Sequence, residues 1–216
     1  MNKKKSIAVA IVLLLILLIG GMLAYFTDTE TATNVFVLGD EVEITLTETA
    51  WDALADTNDN DIPDIAEGIH PGTQVAKNPI VTNDSSTTPA YVFLEVIVPC
   101  YDNGYSDTTT TPVLDSDLFD LNGLPGSGWT KLSESTIDTT NKTKTYVYYY
   151  GTSSGLTPLA ANTSTSPLFT SVTLKSTITS TEASTAPANP NVVVNAYAIQ
   201  TDGLSVSTPS AVYALF

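Results

Sequence analysis

The stretch "AYVFLEVIVP" (90–99) decides how the rest of the chain is read. Val92, Leu94, Val96 and Val98 fall on one face of an extended segment, and Tyr91, Phe93, Glu95 and Ile97 fall on the other. Apolar, β-branched residues at period two specify a strand rather than a helix. The second face is half apolar too, so the strand is expected to lie centrally in a sheet or to be covered.

Working outward, the same signature recurs in "TNVFVL" (33–38), "EVEITLTE" (41–48), "TKTYVYYY" (143–150), "LFTSVTLKSTI" (168–178), "NVVVNAYAIQ" (191–200) and "SAVYALF" (210–216). In "EVEITLTE", Val42, Ile44 and Leu46 share one face while Glu41, Glu43, Thr45 and Thr47 share a wet one. Between these segments stand turn signals: "LGD" (38–40), "DNG" (102–104), "LNGLPGSG" (121–128), "TSSG" (152–155), "APANPN" (186–191) and "TDG" (201–203). Strands joined by Gly, Pro and Asn turns, with no long helical pattern between them, predict an all-β fold. The expected form is an antiparallel β-sandwich or jelly roll over residues 41–216.

The 216 residues carry 23 acids against eight lysines and no arginine. Three lysines stand at positions 3–5, so beyond residue 24 five lysines face 23 acids, a net −18. Such a surface repels phosphate backbones and anionic lipid, which argues against nucleic-acid binding and against membrane attachment through the folded part. Divalent cations are its natural counter-partners. The single cysteine, Cys100, excludes an intramolecular disulfide, and the single histidine, His70, excludes a multi-histidine metal centre.

Residues 1–24, "MNKKKSIAVAIVLLLILLIGGMLA", run from basic residues through an apolar stretch to a small residue, the order of an export signal helix. Cleavage between Ala24 and Tyr25 is expected. The apolar run is also at the short edge of a membrane span, so an uncleaved anchor is the alternative. In both cases the remainder lies outside the cell, because the lysines hold the N-terminus in the cytoplasm.

"DTNDNDIPDIAE" (56–67) has the spacing of a twelve-residue calcium loop. Asp56, Asn58 and Asn60 take the alternating positions, Ile62 offers its carbonyl, Asp64 the ninth-position oxygen and Glu67 a bidentate closure. Asp61 stands where glycine is usual, and aspartate tolerates the left-handed turn needed there better than most residues. The segment resembles the calcium loops of bacterial surface proteins, including thrombospondin type 3-like repeats. The competing reading is a solvated acidic loop between strands.

The junction "GGMLAYFTDTETATNVFVLGDEVEITLTE" resembles the start of the TasA/camelysin family of exported proteins, whose signals are removed by the SipW-type signal peptidase. "HPGTQVAKNPIVTNDSSTTPAYVFLEVIVP" is similar to the family's middle segment, in which Pro71-Gly72 turns the chain and Asn83 closes a strand. "PLFTSV" and "NVVVNAYAIQTDG" look like its clostridial branch. The resemblance implies a secreted jelly-roll subunit assembled into fibres of the extracellular biofilm matrix, the N-terminal segment of one subunit adding as a strand to the next. Residues 25–40 would then be a polymerisation arm, with Tyr25, Phe26, Val35, Phe36 and Val37 filling a neighbour's groove. Head-to-tail donation does not close, so the partner is the chain itself in an open homopolymer, with other matrix proteins as further candidates. An arm pairing within its own subunit is the other outcome.

Camelysins also carry a metallopeptidase label. This chain has no His-Glu-x-x-His, no Gly-x-Ser-x-Gly elbow, and a single histidine placed before a proline, so no catalytic residue is assigned. "LPGSG" (124–128) resembles a sortase signal, but Ser127 replaces threonine and no span or basic tail follows it. The expected protein is a non-enzymatic fibre subunit with a structural calcium loop. A membrane-anchored cell-surface binding module or adhesin is the second reading, and a metallopeptidase the third.

Overall fold

The computed structural model describes residues 41–101, 116–132, 136–188 and 190–216. The leader 1–24, its cleavage point at Ala24 and Tyr25, the arm 25–40 with Phe26, Val35, Phe36 and Val37, and the turn 102–104 lie outside the described residues. In chain order these form β1 (Ile44–Thr47), α1 (Thr49–Asp52), a 3-10 turn (Asp64–Ala66), β2 (Gln74–Ala76), β3 (Ile80–Asn83), β4 (Ala90–Tyr101), β5 (Ser116–Asp117), β6 (Phe119–Asn122), β7 (Trp129–Lys131), β8 (Thr136–Asp138), β9 (Thr143–Thr152), β10 (Gly155–Leu156), β11 (Thr163–Ser164), β12 (Ser171–Leu174), α2 (Ser180–Ala183), β13 (Val193–Gln200) and α3 (Pro209–Tyr213).

The architecture is mostly β, and every pairing is antiparallel. β4 is central in the largest sheet, with β9 on one side and β13 on the other. Phe93 to Pro99 face Tyr149 to Thr143, and Ala90 to Ile97 face Gln200 to Val193. β1, β3 and β11 form one small sheet; β2, β12 and β6 form another. All three sheets feed one core. Val92, Leu94, Val96 and Val98 of β4 are fully buried there with Val81 of β3, Leu168 and Phe169, and Val75 of β2 and Val172 of β12 are buried beside them. Each such aliphatic side chain contributes about 1.5–3 kcal/mol by burial.

The other face of β4 is covered as well, so the strand is both central and sandwiched. Phe93, Val147, Tyr149 and Val212 pack there, bordered by Tyr197, Ile199, Leu204 and Tyr213. The cover comes from the C-terminal segment, and here the sequence expectation is corrected: "SAVYALF" is not a strand. Thr208 accepts a hydrogen bond from the Ala211 amide, and Pro209 occupies the first helical position, so 209–213 turn into helix α3. Glu95 interrupts this apolar face without being orphaned. Its carboxylate accepts from Asn195 Nδ2 at 3.0 Å and from the Tyr213 hydroxyl at 3.1 Å.

Several short strands had no clear sequence signal, and three expected ones are shorter than read: only 44–47 of 41–48, 171–174 of 168–178 and 193–200 of 191–200 are strand. "LPGSG" is a packed turn rather than an exposed tag. The Gly126 amide donates to the Leu168 carbonyl, and a Cβ at Gly126 would stand 1.9 Å from the Pro167 carbonyl oxygen. Asn83 does close β3, fully buried, its amide bonded to the carbonyls of Thr88 and Leu159 and to the Ser85 amide.

Burial, aided by the nearby Asp117 carboxylate, pushes the Tyr148 phenol up to about 12. The folded state therefore keeps a proton that the unfolded chain releases near its ordinary value of about 10. Stability is at its full value below that pH and falls as pH rises towards 12. Urea midpoints measured across this window should decline steeply in the parent and less steeply in Tyr148→Phe.

Candidate functional site

The acidic loop folds as a closed turn anchored at both ends. The Asp64 amide donates to the Ala55 carbonyl at 2.8 Å, while Leu54 before the loop and Ala66 and Ile69 near its end pack on the core. Pro63 precedes the 3-10 turn and Gly68, at φ +57°, follows it. Within the loop Asp56 accepts from the amides of Asn60 and Asp61 at 3.3 and 2.9 Å. Asp61 has φ +65°, the left-handed conformation expected where glycine is usual, and Asp59 has φ +54°.

The remaining sequence-predicted ligands are drawn into the same turn. Glu67 Oε1 accepts from Asn58 Nδ2 at 3.0 Å and from Asn60 Nδ2 at 2.5 Å, and Asp64 accepts from the Thr57 amide at 3.0 Å. The Ile62 amide donates to Asn60 Oδ1, and the Ile62 side chain is exposed, so that residue has only its backbone carbonyl to offer. Among the described residues no three His, Cys, Asp or Glu side chains form a metal-sized cluster; both asparagine amides converge on Glu67, while Asp56 accepts from the Asn60 and Asp61 amides and Asp64 from Thr57. As a donor set this is six hard oxygens, three of them carboxylate, which suits calcium and not zinc or copper.

A second feature was not read from the sequence. β13 pairs with β4 on one side, and β1 pairs with β3 on one side; among the described residues neither has a partner on its other edge. Between them runs an open groove of about 530 Å³ lined by Ile44, Leu46, Val194, Asn195, Ala196 and Tyr197. Edge strands are commonly blunted by lysine, proline or a bulge. β13, "VVNAYAIQ", has none of these residues, and all eight of its residues pair in unbroken register with β4. That absence of charge was the available signal.

No family model, curated protein or solved structure matches the chain. Function is accordingly argued from the residues. His70 is exposed, its amide bonded to the Thr73 hydroxyl, in the turn that Pro71 and Gly72 complete; the Gly72 amide ties that turn to the Leu174 carbonyl. Cys100 is fully buried in β4 opposite Asp117 of β5. Lys77 forms a largely enclosed ion pair with Glu48, at 2.5 Å, with the ammonium 5.2 Å from the Trp51 ring centre. It joins the end of β1 to the segment after β2.

Proposed function

We propose that the chain is an exported fibre subunit of the TasA/camelysin type, a jelly roll that accepts the N-terminal arm of the next copy as an added strand. The observation that carries this reading is the groove flanked by the edges of β1 and β13 that have no partner among the described residues. An added strand gains main-chain hydrogen bonds from an open edge and specificity from alternate side chains entering the groove. The eight residues of β13 span about 27 Å, and the fourteen residues 25–38 are long enough to follow all of it. "TNVFVL" supplies the β-branched and aromatic alternation such a strand needs, and its apolar side chains complement Ile44, Leu46, Val194 and Ala196.

Because the arm is joined to the chain just ahead of β1, it also has the reach to fold back into the groove of its own subunit, which would give a monomer held at the cell surface or released. The two outcomes separate by concentration. Excess synthetic peptide of residues 25–38 is expected to arrest fibre growth in a dose-dependent manner, as followed by light scattering and electron microscopy. Growth unaffected by a saturating peptide counts against donation between subunits.

The loop 56–67 is proposed to hold one structural calcium through Asp56, Asn58, Asn60, Asp64, Glu67 and the Ile62 carbonyl. Its role is to pin the connection between β1 and the Pro71-Gly72 turn, since no long helices flank it to move as in a sensor. A ligand that binds only the folded state stabilises it by about 2.7 kcal/mol when present at 100 times its dissociation constant. Chelation should lower the melting temperature of the parent, and Asp56→Ala with Glu67→Ala should remove that response. A parent indifferent to chelator would refute the site.

A further inference from the structure

We propose that the C-terminal tail, through Tyr213 and Phe216, is the positioning element that holds β13 ready to accept a strand; this rests on the strand-acceptor reading above. Two groove residues of β13 are gripped by the tail. Tyr197 packs edge-on against Tyr213 at 6.2 Å and lies 5.4 Å from Phe216, ring centre to ring centre. Asn195 is tied to the tail through Glu95, which accepts from Asn195 Nδ2 and from the Tyr213 hydroxyl. Phe93 completes the stack from β4, 5.4 Å from Tyr213 and 5.8 Å from Phe216.

The physical need for such a grip follows from the pairing. An edge strand bonded along one side only is the first part of a sheet to fray. A strand added to it gains its hydrogen bonds only when several consecutive residues are held extended together, so disorder in the acceptor is an ordering cost on every addition. The tail lowers that cost by fixing alternate side chains of β13 from the face opposite the Val92–Val98 core. It also explains why Phe216, half-exposed at 51%, sits in an aromatic stack at the end of the chain. The tail is no part of the donor arm, which lies at the other end of the sequence, residues 25–40. A tail-defective subunit therefore keeps its ability to donate and loses its ability to accept.

That asymmetry gives a readout which general destabilisation does not mimic. Full-length exported protein carrying Tyr213→Ala and Phe216→Ala is added to parent seeds, alone and as a minor fraction of parent monomer. The altered subunit is expected to bind seed ends through its arm and then to terminate them, so that filaments shorten in proportion to the fraction added. The milder Phe216→Ala change, at a half-exposed site, should slow elongation by about tenfold in proportion to weaker acceptance. Tyr213→Phe alone, which keeps the ring and loses only the bond to Glu95, should keep most of the parent elongation rate. Incorporation without shortening, or failure of Phe216→Ala to incorporate at all, overturns the proposal. Parent protein that forms fibres insensitive to the 25–38 peptide would instead remove the strand-acceptor reading, and this inference with it.

Discussion

Removal of residues 25–38 is expected to abolish fibres completely while leaving the remainder a soluble, folded subunit. The expectation rests on where the core of the described residues lies. The buried residues of the main cluster run from Val75 to Ile178, with β1 adding only half-buried Ile44 and Leu46 at its border. A chain starting at residue 39 therefore retains the contacts that the described residues make with one another and lacks the arm that is proposed to enter a neighbour. Analytical ultracentrifugation and electron microscopy of the truncated protein would check both halves. Fibres of unchanged yield would sink donation, and an unfolded truncation would mean that the arm completes its own subunit. Adding untruncated subunits at low proportion should then give short oligomers, because the truncated chain still offers an acceptor edge.

The second large effect is expected at Lys77. Its ammonium is paired with Glu48 in a setting where the two side chains are 11% and 20% exposed, and the second oxygen of Glu48 is buried with no hydrogen-bond partner. Lys77→Met removes the only charge that compensates this carboxylate among the described contacts. Breaking one side of a buried pair costs about 3–5 kcal/mol, and the remaining exposure of Glu48 places this case at the lower end. For a chain of this size each kcal/mol corresponds to about 2–4 °C, so the melting temperature should fall by roughly 6–12 °C. The double change Lys77→Met with Glu48→Leu should recover most of the loss, since an apolar pair of similar volume avoids the desolvation cost. A single variant as stable as the parent would show that water reaches the carboxylate freely. The pair also braces β1, one wall of the proposed acceptor groove, against the segment that follows β2.

The sequence was most legible where one force dominated. Period-two alternation of fully buried valines and leucines placed β4, and the half-apolar second face called for a central or a covered strand, of which β4 is both. At Asp61, where the loop pattern usually has glycine, the backbone is left-handed, the conformation that aspartate tolerates better than most residues. Legibility failed where tertiary context decided. "SAVYALF" has the composition of a strand, but the Thr208-Pro209 start and the apolar face waiting on β4 make it a helix; the cap signal was present and was outweighed by β-propensity. Two-residue strands such as β5, β10 and β11 have too few residues to show any period and exist because a longer neighbour offers an edge. The groove was invisible for a related reason. A free edge is a property of what does not pair, and no window of sequence reports which neighbour is missing.

The unbroken register of β13 on β4 has a mechanical meaning. A subunit pulled through a strand lying beside β13 would load the sheet along the strand axis, in shear. Eight aligned residue pairs with β4, and seven more from β4 to β9, then share the tension together instead of peeling one at a time. Rupture under such a load is governed by the rate of crossing the unfolding barrier and not by equilibrium stability alone. A thread built from these subunits would therefore resist a brief pull far better than its melting temperature implies, and would yield under a slow one.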